Sequence, residues 1–260
     1  MGSHMIRKIA IRNVVPAGLV FVLMVGCSAP EGGYPEEIPP YRPPGEVRMA
    51  TAVWSGAPGV DLSSGQGVLA RAGFEARIVG QQSGLDRTYP GFRESIDFRI
   101  KSELEETWKR GPIFGTLLTH INAIHGTPRD FVVEFCMLGT EVAVPEGEGY
   151  LSWRSRGESS AMHFRADSND SVLPANMPWQ FSDSPHWQAP VFDLFEGWSV
   201  EIPLSGDRQQ CDPWALSLDP SLPAERERVL NASPPSARPA YPGWPAGLLA
   251  ASSTSTTTAR

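Results

Sequence analysis

His125-Gly126-Thr127-Pro128-Arg129-Asp130-Phe131-Val132-Val133-Glu134-Phe135-Cys136-Met137-Leu138 decides how this chain folds. Gly126, Pro128 and Asp130 punctuate a turn, and the residues after it alternate with period two. Phe131, Val133, Phe135 and Met137 share one face of a strand, and Val132, Glu134, Cys136 and Leu138 share the other. Residues 116–124 form a second β-rich run just before the turn, so the two runs read as a hairpin.

Working outward, the upstream sequence changes period. Asp61-Leu62-Ser63-Ser64 offers N-cap side chains, and Val68, Leu69, Ala72, Ala76 and Val79 then recur at helical spacing. This predicts a helix over 63–82 that ends near Gly84. Tyr89-Pro90-Gly91-Phe92 is a turn, and residues 93–109, with Ile96, Leu104 and Trp108 on one face, predict a second helix. Downstream, runs at 149–156 and 160–165 around Gly157-Glu158 predict a second hairpin, and 198–202 a last strand. The expectation is an α+β fold in which two N-terminal helices pack on an antiparallel sheet of about five strands.

The chain has 260 residues, enough for one body with a sizeable core. Met1-Gly2-Ser3-His4 ahead of Met5 reads as a cloning scar, so residues 1–5 carry no functional weight. Residues 6–27 set Arg7, Lys8 and Arg12 before an apolar run from Val14 to Val25, which closes on Gly26-Cys27. A basic head, a short apolar stretch and a small residue before cysteine make a secretory signal. The run is too short to span the ~30 Å apolar core of a bilayer as a mature helix. The alternative is an uncleaved anchor extended back through Ile9–Ile11.

Residues 28–48 form a Pro/Gly-rich tether without periodicity, residues 49–216 the single folded domain, and residues 217–260 a Pro/Ser/Thr-rich tail expected to be disordered. Removing the three basic residues of the first 27 leaves 19 Lys and Arg against 29 Asp and Glu, a net charge of −10. That balance argues against nucleic acid and against a basic membrane-binding patch. Apart from Lys8, Lys101 and Lys109, every basic side chain is arginine, which with the abundant Ala, Gly and Pro suggests a GC-rich source.

After Cys27 two cysteines remain, Cys136 and Cys211. In an exported chain an even pair invites a disulfide. Closing a loop of that length would restrict the unfolded chain by roughly 4 kcal/mol in the chain-entropy view.

The segment ending at Cys27 resembles a bacterial lipoprotein signal, with Met24 where such signals usually carry Leu. The resemblance implies export, acylation of Cys27 (diacylglyceryl and palmitate) and tethering at the outer face of the cytoplasmic membrane. Ala52-Val53-Trp54-Ser55, Gly59-Val60-Asp61-Leu62 and Tyr89-Pro90-Gly91-Phe92, with the strands up to Cys136 and the closing Cys211, resemble small secreted lipoproteins of actinobacteria and their phages, of unassigned function. This implies an envelope role such as superinfection exclusion, and it transfers no catalytic residue. The helix-then-sheet order is also similar to the cystatin-like cone shared by nuclear transport factor and scytalone dehydratase.

The aromatic loop is the expected binding surface. Trp179, Phe181, His186, Trp187, Phe192 and Phe195 fall in a long Pro-rich stretch, and aromatic anchors in loops suit protein or glycan contact. The competing reading is a lid that completes the core. His163, with Asp167 or Glu134, is the candidate base for an alternative function as an envelope hydrolase or isomerase with a conical pocket. His120 and His125 have a spacing unsuited to one metal ion, and Asp167-Ser168-Asn169-Asp170 lacks the rest of a calcium loop. No Gly-x-Ser-x-Gly, His-Glu-x-x-His or phosphate-cradling glycine loop is present. No catalytic residue, metal site or cofactor is assigned. The expectation is a lipid-anchored binding module whose partner is an envelope protein, a cell-wall component or an apolar ligand.

Overall fold

A computed structural model describes residues 41–107, 109–174, 185–202 and 208–244. The side chains of residues 98–100, 103 and 208 are outside that description. Cys27, Trp179 and Phe181, with the signal and most of the tether, lie outside the described residues.

The fold is α+β. Strand β1 (Ala50–Gly56) leads into helix α1 (Gly65–Ser83), a one-turn helix α2 (Phe92–Ser95) and helix α3 (Phe98–Thr107). Then follow β2 (Phe114–Thr127), β3 (Asp130–Glu146), β4 (Gly149–Arg154), β5 (Glu158–Ala166) and β6 (Trp198–Glu201). Helix α4 (Asp212–Leu218) and β7 (Glu227–Asn231) complete it. Among the described residues the seven strands form one sheet.

The sheet is mixed where an antiparallel one of about five strands was expected. β1 precedes the helices and pairs parallel with β2, because α1 carries the chain across between them. The first hairpin forms as read: β2 and β3 pair antiparallel, with a two-residue turn between Thr127 and Asp130. The second hairpin does not. β4 and β5 both pair with β3, β4 along its second half and β5 along its first. β3 is 17 residues long, twice the run legible by alternation, so it has room for both partners on one edge. β6 extends the sheet beyond β5, and β7 extends it beyond β4.

A register shift explains why alternation faded. Thr116 faces Glu141 while Leu118 faces Leu138, so β3 carries one extra residue around Gly139-Thr140. Such a bulge bends the strand and reverses which side chains face inward. Phe131, Val133 and Phe135 are buried before the bulge, and Val142 and Val144 pack on the same core after it.

Helix α1 lies against the inner face. Ser64 caps it by accepting from the Gly67 backbone N–H at 3.1 Å, and Gly84 at φ 105° ends it. Val68, Leu69, Ala72, Ala76 and Val79 are all fully buried, as their spacing implied. Gly73 allows the helix to approach β5, since a Cβ there would stand 2.9 Å from the Phe164 ring. The opposite face of the sheet carries a smaller cluster of Leu138, Ala215 and Leu222 beneath α4. The Cys136–Cys211 disulfide pins α4 there, with a Cα–Cα distance of 5.5 Å.

Two boundaries move. Val47 is fully buried and the Ile113 N–H donates to the Glu46 carbonyl at 2.8 Å, so 41–48 belongs to the body rather than to a tether. The tail expected to be disordered from 217 is folded through 244. β7 pairs with β4. Beyond β7 the chain returns along β1, where the Tyr241 N–H donates to the Ala52 carbonyl and the Trp54 N–H to the Tyr241 carbonyl. Composition misled here because few apolar residues were needed. Leu222, Ala240 and Trp244 are all buried, and the backbone hydrogen bonds come from the edge of β1.

Candidate functional site

The bulge in β3 shapes a concave pocket of about 260 Å³ between the end of α1 and the second half of the sheet. Its apolar wall includes Ile78 from α1, Leu117 from β2, Val142 and Val144 from β3, and Leu151 and Trp153 from β4. Gly139 lines it at the bulge, and a Cβ added there would meet nothing within 4 Å. The volume lies just under the lower end of the ~300–1,000 Å³ typical of small-molecule sites.

Polar groups from four segments also line the pocket. Gln81 and Gln82 come from the last turn of α1, Arg110 from the segment entering β2, Glu158 from the start of β5 and Arg226 from the approach to β7. The Arg110 and Gly111 N–H groups donate to the Gln81 and Gln82 carbonyls at 3.0 Å, which fixes that segment against the helix end. Arg226 stacks 4.0 Å over Trp153 and lies 3.8 Å from Glu158. Behind them the half-buried Arg77 guanidinium donates to Ser160 Oγ. Burial pushes the Arg77 pKa down, Glu158 pushes it back up, and the like charge of Arg110 lowers it further. Gln82 is only 8 % exposed, and its Oε1 is buried without a hydrogen-bond partner. A buried acceptor left unpaired costs stability, so it marks the place where a bound group would be rewarded.

A second polar cluster is deeper and closed. The Glu75 carboxylate on α1 accepts from Trp54 Nε1 at 2.7 Å, Tyr89 OH at 2.7 Å and Trp244 Nε1 at 2.6 Å. Trp187 Nε1 donates to Tyr89 OH at 2.9 Å. Arg71, one turn earlier, donates to the Pro242 carbonyl at 2.7 Å and packs 4.7 Å from the Trp244 ring centre. Burial raises the Glu75 pKa, and the Arg71 charge and the three donors oppose that rise. Burial likewise lowers the Arg71 pKa against the pull of Glu75. The void beside Glu75 is about 10 Å³, near the minimum for one water. This cluster therefore joins α1, β1 and the C-terminal segment, and it has no room for a substrate.

The residues expected to bind a partner are divided. Trp187 and Phe195 are buried in the core, Phe192 packs against it, and the Phe195 ring lies 5.2 Å from Phe92. These three complete the core in place of offering anchors, which corrects the exposed-loop expectation. Their apolar area is worth more against α1 and α2 than in water. His186 is exposed, with Nδ1 3.1 Å from the Arg48 carbonyl.

The histidines do not converge. His163 sits on the sheet surface between Asp130 at 2.6 Å and Glu201 at 3.4 Å, in place of the expected Asp167 or Glu134, and outside the pocket. Its contact is the main reason the Asp130 pKa is lowered. His120 is buried under α4, stacked on Trp214 and 2.8 Å from Ser55 Oγ. His125 is exposed, 3.5 Å from Glu134. Among the described residues no three His, Cys, Asp or Glu side chains are grouped to hold a metal ion. No helix among them is long and apolar enough to cross a membrane.

The pocket residues Gln82, Arg110 and Gly139 were missed in the sequence. The available signal was the inward set changing from Phe131, Val133 and Phe135 to Val142 and Val144, with Gly139 between. Comparison with known protein families, curated proteins and solved structures finds no match.

Proposed function

We propose that this chain is an exported binding protein that holds a small apolar or amphiphilic molecule in the pocket beneath the bent sheet. The observation that carries this reading is the pocket itself: apolar walls, a few polar side chains among them, and a buried, unpartnered Gln82 oxygen. Preformed concave sites with a few placed polar groups are the usual form of small-molecule sites. A helix packed on one face of a sheet whose long strand carries a bulge supports placing the body with the cystatin-like cones. The Cys136–Cys211 disulfide is compatible with an oxidising compartment, and the signal-like segment supports lipid anchoring of Cys27 outside the cytoplasmic membrane.

Two experiments test the reading. Gly139→Leu places a side chain in the pocket without a backbone clash. Titrated with the neutral apolar dye N-phenylnaphthylamine, wild type should bind and the variant should lose about tenfold or more in affinity. Equal dye binding by a folded Gly139→Leu would remove the pocket from consideration. For the anchor, intact mass and membrane fractionation should find wild type acylated at Cys27 and membrane-bound, with Cys27→Ala released. An unprocessed chain bound to membranes in both forms would refute lipid anchoring.

A further inference from the structure

The geometry points to a medium-chain carboxylate as the ligand of this pocket, with its head at Arg110 and Gln82 and its alkyl chain along Leu117, Val142 and Leu151. The inference rests on the reading of the pocket as a ligand site and specifies the ligand's chemistry.

Charge is the first argument. Arg77, Arg110 and Arg226 gather around one acid, Glu158. Glu158 is already engaged by Arg226, which also stacks on Trp153. Arg77 spends its hydrogen bond on Ser160. Among the described residues Arg110 pairs with no carboxylate, although it lies close enough to Arg77 to repel it. Arg110 is exposed, so an unpaired guanidinium at the rim of an apolar pocket favours a ligand with a single negative charge.

Hydrogen bonding is the second argument. Gln82 is more than nine-tenths buried, lines the same pocket and leaves Oε1 without a partner. A half-turn of the amide presents its N–H₂ instead. A carboxylate offers two oxygens, one for that amide and one for the Arg110 fork. A hydroxyl could serve the amide but would leave the guanidinium without a counter-charge, and an ammonium would be repelled.

Size is the third. A dry cavity of about 150 Å³ accommodates benzene, six carbons. By that measure 260 Å³ takes about ten non-hydrogen atoms. Octanoate has that size, and Ile78, Leu117, Val142, Val144 and Leu151 offer its chain an aliphatic wall.

Titration calorimetry of the full-length chain with octanoate, octanol, octylamine and octyl phosphate tests this. Octanoate should bind best, with octanol about tenfold or more weaker and octylamine weaker still. Arg110→Gln should erase the advantage of octanoate over octanol while octanol affinity stays within about twofold. An Arg110 that merely caps the end of α1 would change the melting temperature and leave the ratio intact, which would overturn the assignment of the head group. Equal binding of octanoate and octanol by wild type, or tighter binding of octyl phosphate, would also overturn the carboxylate while leaving the pocket in place. If none of the four binds and Gly139→Leu leaves dye binding unchanged, the underlying pocket reading fails as well.

Discussion

His120 shows how one buried side chain makes stability depend on pH. It is shut under Trp214, and burial holds its pKa below the ordinary 6.5. As pH falls through 6.5 the unfolded chain takes up this proton before the folded one does. The stabilisation is therefore full above 6.5 and drains away as pH drops toward the folded value. Urea unfolding at a series of pH values should show wild type losing stability below 6.5 more steeply than His120→Gln. Parallel curves would mean that the ring is accessible to protons in the folded state. Glu75 shows the same physics with a different outcome. Three N–H and O–H donors and Arg71 accompany the carboxylate into the core, so a charge that burial penalises is also used to join distant segments.

At the scale of elements, the segment after β7 is the least expected part of the molecule. It supplies no long strand or helix; besides two backbone bonds to β1 it is held by hydrogen bonds through Arg238 to Thr51, Thr116 and Glu141, by the bond from Arg71 to the Pro242 carbonyl, and by Trp244. Trp244 is its large buried side chain, set over Arg71 and donating to Glu75. Trp244→Ala should cost about 3–5 kcal/mol in chemical denaturation, by cavity formation and the loss of one of Glu75's donors. Trp244→Phe keeps most of the packing and removes only the N–H, so it should cost about 1–3 kcal/mol. A Trp244→Ala variant as stable as wild type would show that the segment is held by Arg238, Pro242 and its backbone bonds instead. The bulge at Gly139 acts on a similar scale. One extra residue in β3 switches its inward set to Val142 and Val144, and Gly139 at that switch lines the pocket.

For the whole molecule, local reading succeeded where neighbours in sequence are neighbours in space. Helix α1, with its cap at Ser64 and stop at Gly84, and the β2–β3 hairpin follow from periodicity and turn residues because their hydrogen bonds close over short distances. The pairing of Cys136 with Cys211 was readable by counting, since two cysteines remained after Cys27. The rest required the third dimension. Whether β1 runs parallel to β2, whether β4 and β5 pair with each other or share β3, and whether a Pro-rich segment folds are decided by contacts among distant segments. Trp187 and Phe195 make the point at single residues: an aromatic side chain in a loop reads the same whether it reaches outward or inward, and only the open face above α1 and α2 made inward the lower-energy choice. The pocket belongs to the same class. Gln82, Arg110, Gly139 and Arg226 come from four separate segments. Sequence alone determined the helix, the hairpin and the disulfide partners, because spacing, turn chemistry and count are local or arithmetical properties. Only the tertiary structure decided the mixed sheet, the folded C-terminal segment and the pocket, because each depends on which distant surfaces exclude water together.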